Sequence, residues 1–322
     1  TGFKGSWLAR WPKELGADVI GNSLDPPSEP SNFVTTSLRE KITHMSNYHL
    51  NSDNIYLPPV PVMHRDEEYE QGGFEILCKM QERHFWYRGR HRFLLGALDR
   101  HLSKQGLSAI DLGGGVGGWV RYLAQTRPAL FKKLAMADSS LVALSHAVSV
   151  LPPDAQRYQV DLMQLHMRDE WDVVFLLDVI EHLPDDLRAM QQAGEALKPG
   201  GLLLVTAPAF PQFWSYNDEF FHHLRRYRRD DYVHLARQAG LVLKDARYFM
   251  YFLSPLYLLS RMKPGFGKLS LEEKKSLFLK QHVVPSFPIN AALSAIFAAE
   301  TPLGHWLRFP WGTSILGVFQ KP

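Results

Sequence analysis

The sequence predicts an α/β fold organised around a doubly wound, seven-stranded, mostly parallel sheet. Three observations carry that expectation. From residue 108 onward short apolar runs alternate with helical stretches, a glycine-rich turn follows the first run, and a Pro-Gly-Gly break precedes the fifth.

Taken in order, residues 66–102 suit helix. Phe74, Leu77, Cys78 and Gln81 fall at helical spacing, and Phe93, Leu94, Ala97 and Leu98 form an apolar stripe. Two helices are therefore expected to lead into the core. The strands expected next are SAID at 108–111, KLAMAD at 133–138, YQV at 158–160, WDVVFLL at 171–177 and LLLVT at 202–206. Crossover helices between them imply parallel pairing. The helix before the fifth run should stop at LKPGG, 197–201, because Pro cannot continue a helix and Gly permits a left-handed turn. GLVLK at 240–244 and SILGVF at 314–319 complete the seven. Ahead of all this, the segment 1–62 is rich in Gly, Pro and Ser and ends in LPPVPV at 57–62, whose prolines withdraw amide donors as in a linker. The expected division is a first unit over 1–62 and a second over 63–322.

Composition narrows the function. The 322 residues are 45% hydrophobic and 21% charged, which excludes wholesale disorder, and 36 basic against 33 acidic residues leave no general surface for nucleic acid. The single cysteine, Cys78, excludes an intramolecular disulfide and fits a reducing compartment. No stretch at the start reads as a secretion signal, and the longest apolar run, Phe249 to Leu259, is too short to span a bilayer. A cytoplasmic protein is expected. That run leaves contact with a membrane surface open, with a buried segment or the lid of an apolar pocket as the alternative.

The glycine turn, IDLGGGVGGW at 110–119, poses the central question. Five glycines between a strand and a helix near Trp119 let backbone amides approach a ligand closely. Gly113-x-Gly115-x-x-Gly118 matches a dinucleotide fingerprint, with Asp138 located 20 residues on. Asp111-x-Gly113-x-Gly115-x-Gly117 is a second frame, in which an acid ends the strand itself. A carboxylate there disfavours a pyrophosphate and favours a cation.

With DVIEHLPD at 178–185 and ALKPGGLLLV at 196–205, the turn resembles class I S-adenosylmethionine-dependent methyltransferases of the small-molecule type. ERHFWYRGR at 82–90, WSYND at 214–218 with HLRRY at 223–227, and PWGTSILGVFQKP at 310–322 are similar to segments of one bacterial subgroup, so the resemblance covers about 65–322. TGFKGSW at 1–7, LGADVIG at 15–21 and LDPPSEPS at 24–31 resemble a truncated start of a CDP-glucose 4,6-dehydratase. That family uses a Tyr-x-x-x-Lys pair, and none of the 12 tyrosines here has Lys four positions later, so dehydratase activity is not expected.

The methyltransferase resemblance implies a Rossmann-like fold, S-adenosyl-L-methionine as cofactor and the following roles. Gly113, Gly115 and Gly117 admit the cofactor, and Asp111 fixes its ammonium. Asp138, with Ser139 beside it, accepts the ribose hydroxyls, while Asp161 and Leu162 meet the adenine. Asp178 and Val179 line the gap toward the acceptor. Asp138 could instead cap the next helix, as Ser139 and Ser140 could, and Asp161 suits a turn on its own. His182, His223 and Asp218 are the catalytic candidates, His182 as general base or only as an organiser of its loop. His84, Trp86 and Arg88 are placed over the cofactor. Trp214, Tyr216, Arg225, Arg226 and Tyr227 are the candidate acceptor-binding residues. The run Arg225–Arg229 reads equally as a phosphate clamp, an RNA patch with Tyr227 stacking, or a solvated helix start. No metal is expected, because adjacent His222 and His223 lack a spaced carboxylate partner.

The expected reaction is methyl transfer to a small molecule, a hydroxyl on a sugar, lipid-linked or quinone-like compound, with no nucleic acid as partner. Two rivals stay open: an NAD-dependent oxidoreductase acting on a sugar nucleotide, and a non-catalytic RNA-binding protein gripping through Arg225–Arg229.

Overall fold

A computed structural model describes residues 48–62, 73–261 and 283–322. The dehydratase-like segments at 1–31 lie outside the described residues. All seven expected strands are present: β3 (Leu107–Leu112), β4 (Phe131–Asp138), β5 (Gln156–Gln159), β6 (Trp171–Leu177), β7 (Leu197–Pro208), β8 (Val242–Phe249) and β9 (Ser314–Gln320). Two more precede them, β1 (His49–Leu50) and β2 (Ile55–Leu57), so the sheet has nine strands rather than seven. At two and three residues these strands are too short to show an alternation, and the prolines that follow mask them. They are nevertheless well anchored: Ile55 is buried, Tyr56 stacks on Tyr158 at 4.6 Å, and Tyr48 Oη donates to the Leu165 carbonyl at 2.6 Å. β2 pairs in parallel with β5, which puts residues 48–57 in the sheet although they precede the boundary expected at 62.

The strand order is β1-β2-β5-β4-β3-β6-β7-β9-β8. From β2 to β7 every pair is parallel, while β9 runs antiparallel between β7 and β8. The nucleotide-binding order of dehydrogenases has no such reversed strand inserted. Strand residues are apolar on both sides because both faces are covered. On one face Val174, Leu176, Leu203 and Val205 pack with α5 (Asp186–Ala196) and α7 (Arg229–Gln238). On the other, Val173, Phe175, Leu177 and Leu204 meet α2 (Phe85–His101) and α9 (Phe287–Trp306) through Phe93, Leu98 and Phe297. α1 (Gly73–Arg83) leads into α2, α3 (Gly118–Thr126) and α4 (Leu141–His146) follow β3 and β4, and α6 (Tyr216–Phe220) and α8 (Ser254–Arg261) follow β7 and β8.

The break expected at 197–201 takes a different form. α5 stops at Ala196 as expected, yet pairing resumes at once, with Leu197 opposite Trp171 and Leu202 opposite Val173. The Lys-Pro-Gly-Gly stretch is thus an irregularity inside β7, where Gly200 takes φ of 78°.

Candidate active site

The carboxyl ends of the parallel strands carry the site, as doubly wound sheets require. β3 delivers Asp111, 1% exposed, and the chain then turns through Gly113, Gly115 and Gly117 at φ of 73°, 62° and 81°. Side chains disfavour that left-handed region. Space is short as well: a Cβ on Gly113 would meet Val179 Cγ2 at 2.7 Å, and one on Gly117 would meet Leu151 Cδ2 at 2.6 Å. Gly113 and Gly114 N–H both donate to the Ala137 carbonyl, at 2.8 and 3.0 Å, tying the turn to β4.

Asp138 ends β4 with Oδ2 accepting from Gly115 N–H and Oδ1 from Ser140 N–H, both at 3.0 Å. Ser140, not Asp138, caps α4, its Oγ accepting from Ala143 N–H at 3.2 Å. A carboxylate accepts on both of its oxygens, the arrangement that a vicinal diol needs. Ser139 is buried, its carbonyl accepting from Gln159 Nε2 at 2.9 Å. Asp161 Oδ1 accepts from Met163 N–H at 2.8 Å, the turn weighed from sequence, and Leu162 is buried beside it.

Two partners of this cradle escaped the sequence reading. Gln81, taken there only as part of a helical stripe, is buried and accepts from Gly118 N–H at the start of α3 through Oε1 at 2.9 Å. Arg90 is 1% exposed and its guanidinium binds the Asp178 carboxylate while lying over the Trp86 and Tyr87 rings, 4.9 and 5.3 Å from their centroids. Asp178 itself has φ of 57°, a backbone conformation that favours Gly, held by its N–H donating to the Thr206 carbonyl at 2.8 Å. Strain at that position turns the chain sharply, which sets Val179 against Gly113. Of the residues expected over the cofactor, Trp86 is buried under Arg90, Arg88 is exposed, and His84 caps α2 by accepting from Trp86 N–H at 3.2 Å.

After Val179 a 3-10 turn over Ile180–His182 buries Glu181 and His182. His182 meets His223 edge to face, ring centroids 4.7 Å apart. His223 Nδ1 lies 2.9 Å from Asp218 Oδ1. Asp218 is wholly buried and also receives Arg226 Nε and Nη2 at 2.7 and 2.8 Å and the Ser215 N–H at 2.7 Å. Burial alone would raise the Asp218 pKa, but the bonds from His223 and Arg226 outweigh it and hold the carboxyl well below the usual range. It is therefore ionised, accepts the Nδ1 proton of His223, and leaves Nε2 with the ring's lone pair. Burial holds the His223 pKa down against the pull of Asp218, so the ring is neutral. The three side chains Glu181, His182 and His223 offer ligand atoms within 4.8 Å of one another.

The basic run behaves differently from expectation. Arg226 is buried on Asp218 and the Ala209 carbonyl. Arg225 bonds Asp186 at 2.9 Å and the Leu183 and Pro184 carbonyls at 3.1 and 2.9 Å. Tyr227 is 3% exposed, its hydroxyl donating to Asp186 Oδ2 at 2.7 Å. Arg226 and Tyr227 are thus buried, Arg225 is half-buried, and Arg228 and Arg229 reach the surface. Trp214 is 41% exposed at the mouth. Tyr216 opens α6; its side chain lies outside the described residues.

A narrow glycine cradle between two buried acids, Asp111 at the end of β3 and Asp138 at the end of β4, fits a ligand with a ribose diol at one end and a cation at the other. Comparison with known proteins agrees. A family model described as a methyltransferase domain matches residues 80–245. A ubiquinone biosynthesis O-methyltransferase of Stutzerimonas stutzeri is 28% identical over 163 residues, 46% of this chain and 70% of its own length. A CDP-glucose 4,6-dehydratase of Salmonella typhimurium is 52% identical over 40 residues, 12% of this chain and 11% of its own. Among solved structures, a Haemonchus contortus phosphoethanolamine N-methyltransferase 2 in complex with S-adenosyl-L-methionine overlays with a TM-score of 0.46 at 16% identity, covering 79% of this chain and 61% of that one. Among the described residues no helix is long and apolar enough to cross a membrane. The family match overturns both the oxidoreductase and the RNA-binding alternatives: the chain belongs to the methyltransferase domain family, as an enzyme that uses S-adenosyl-L-methionine.

Proposed function

We propose that the enzyme methylates a hydroxyl on an apolar small molecule, quinone-like or lipid-linked. The observation that carries this reading is the buried pair of imidazoles, His182 and His223, beside the Asp178–Val179 turn that abuts Gly113. A hydroxyl is a weak nucleophile until its proton is drawn away, and this pair stands where that help is needed. Amines need no such help once neutral.

Bound S-adenosyl-L-methionine supplies an electrophilic methyl on its sulfonium. The chain's part is to hold and orient. Gly113, Gly115 and Gly117 give backbone access, Asp138 with Ser139 takes the ribose, Asp161 and Leu162 flank the adenine, and Asp111 faces the ammonium. Asp178, fixed by Arg90, and Val179 separate cofactor from acceptor. Asp218 orients His223, and His182 or His223 draws the acceptor's proton. Trp214 borders the acceptor, whereas Arg225, Arg226 and Tyr227 support these groups. The apolar character of the acceptor is supported by aromatic side chains at this end of the sheet: Tyr251 stacks on Phe309 at 4.6 Å, and Phe252 and Trp311 are 44% and 43% exposed. The S. stutzeri relative's name, which concerns ubiquinone biosynthesis and an oxygen acceptor, supports the same class.

The dehydratase similarity favours a second reading, a sugar hydroxyl. Incubating the enzyme with methyl-labelled cofactor and quinols, lipid-linked alcohols and sugar nucleotides in parallel decides between them. Label on a quinol or lipid oxygen is expected; label on a sugar alone, or on an amine, overturns the apolar-hydroxyl reading.

A further inference from the structure

We propose that the outer side of α9, together with the exposed stripe of α8, docks on an anionic lipid bilayer, with both helices lying in its surface. The proposal stands on this surface alone and holds whatever the methyl acceptor is.

α9 is held from one side. Ser294, Phe297, Glu300 and Gly304 recur at three- and four-residue spacing and are buried. They face α2: a Cβ on Gly89 would meet Phe297 Cδ1 at 2.0 Å, one on Gly304 would meet Phe93 Cε2 at 2.8 Å, and Arg92 Nη2 donates to the Ser294 carbonyl at 3.0 Å. The opposite side of such a helix is ordinarily polar, as it is on α7, where every exposed residue but Val233 is polar. On α9 every exposed residue is apolar, from Phe287, 86% exposed, through Ile289 and Ile296 to Trp306, 78% exposed. α8 adds Leu256 and Leu259, exposed and three residues apart. Phe252 N–H, just ahead of α8, donates to Glu300 Oε2 at 2.9 Å, which ties the start of that helix to the middle of α9. An apolar surface of this extent marks an interaction site.

Charge selects the occupant. Asn290 Nδ2 donates to the Arg83 carbonyl at 2.8 Å, placing the exposed Arg83 beside the first turns of α9, and the exposed Arg308 follows its last turn. The sequence joining α8 to α9, 262–282, carries five lysines against two glutamates. Aliphatic side chains flanked by aromatic rings and basic groups suit the boundary between acyl chains and anionic headgroups. A second copy of this chain would bring one basic rim against another, a repulsion that an anionic bilayer turns into attraction. With one side committed to α2, α9 has only its outer side to offer lipid, so it lies along the bilayer. A protein seated there meets bilayer-dissolved molecules without drawing them through water.

The test sediments the full chain with vesicles of phosphatidylglycerol and phosphatidylethanolamine, and separately with vesicles of phosphatidylcholine alone, in the absence of cofactor and acceptor. Pelleting with the anionic vesicles is expected, about tenfold above the phosphatidylcholine level. It should drop by about fivefold when NaCl rises from about 0.1 to about 0.5 M. Ile289→Glu/Ile296→Glu should weaken partitioning by about tenfold or more, and Arg83→Gln/Arg308→Gln by about tenfold on anionic vesicles. Val233→Glu, on the far side of the sheet, should bind like the parent. All five side chains are exposed, so Tm should stay within about 2 °C of the parent and separate lost docking from lost folding. A parent that pellets no better with anionic vesicles than with phosphatidylcholine overturns the proposal, as does pelleting that Ile289→Glu/Ile296→Glu retains. A dimer in light scattering that this same variant splits, with no vesicle binding by the parent, also overturns it and gives the surface to a second copy. The acceptor reading fails separately: vesicle binding by an enzyme that labels only soluble sugars leaves the docking and sinks the apolar acceptor, while a labelled quinol from an enzyme that never pellets does the reverse.

Discussion

Asp218→Asn is the substitution with the largest effect expected for the fewest atoms changed. The native carboxylate accepts from His223 Nδ1 and Arg226 Nε on Oδ1, and from Arg226 Nη2, Ser215 N–H and Ser215 Oγ on Oδ2. An amide in the same place turns one oxygen into a donor. Either orientation sets that donor against an Arg226 nitrogen, and the guanidinium, 5% exposed, loses its counter-charge. Removing one member of a buried pair costs about 3–5 kcal/mol. At ~2–4 °C of Tm per kcal/mol for a domain of this size, the variant should melt about 10 °C below the parent. Thermal unfolding followed by circular dichroism measures it. The companion Asp218→Asn/Arg226→Met removes both charges and should recover at least half of the loss, because replacing a whole buried pair is close to neutral. A single-variant shift under about 3 °C, or a double variant less stable than the single, would refute the account of what holds residues 215–227 in place.

Three further outcomes are expected. Asp138→Ala removes the acceptor for two buried amides as well as the ribose partner, and calorimetry should show cofactor affinity down by roughly tenfold or more; unchanged affinity removes Asp138 from the site. Gly113→Ala places a side chain at φ of 73° and 2.7 Å from Val179, and should destabilise by about 2 kcal/mol or more, part of which Val179→Ala restores. His84 has its pKa lowered from 6.5 to about 3 by burial. The unfolded chain therefore takes a proton that the folded chain refuses between those values, so stability falls as pH drops from about 6.5 toward 3; urea unfolding at pH 7 and pH 5 should show the loss, and His84→Asn, which keeps an acceptor for Trp86 N–H without titrating, should reduce it.

The central strands could be read in advance because their signal is local: two buried faces demand apolar runs, as in β6 and β7, and crossover helices separate the parallel ones. Asp111, Asp138 and the glycines stood out for the same reason, each tied to a strand end by position. What stayed hidden depends on distance along the chain. Arg90 and Asp178 are 88 residues apart, and neither neighbourhood announces the other. Gln81 looked like one more member of a helical stripe until the fold laid it on Gly118. Glu181 lay inside a recognised motif without a role because its neighbour His223 arrives from another segment. In the run Arg225–Arg229 only the buried Asp218, several residues earlier, explains why Arg226 turns inward.

The reversed strand β9 has a consequence for how this protein comes into being. Its residues, 314–320, are the last of the sheet to leave the ribosome, yet β8 finds its hydrogen-bonding neighbour among the described strands only in it, and so does the edge of β7 that faces away from β6. A nascent chain can assemble the nucleotide-cradling half early, but two unpaired strand edges must wait, side by side, for the final ribbon to slide between them. Translation stalled before Ser314 should therefore yield a species that aggregates or recruits chaperones, although every residue of the cofactor cradle has already been made.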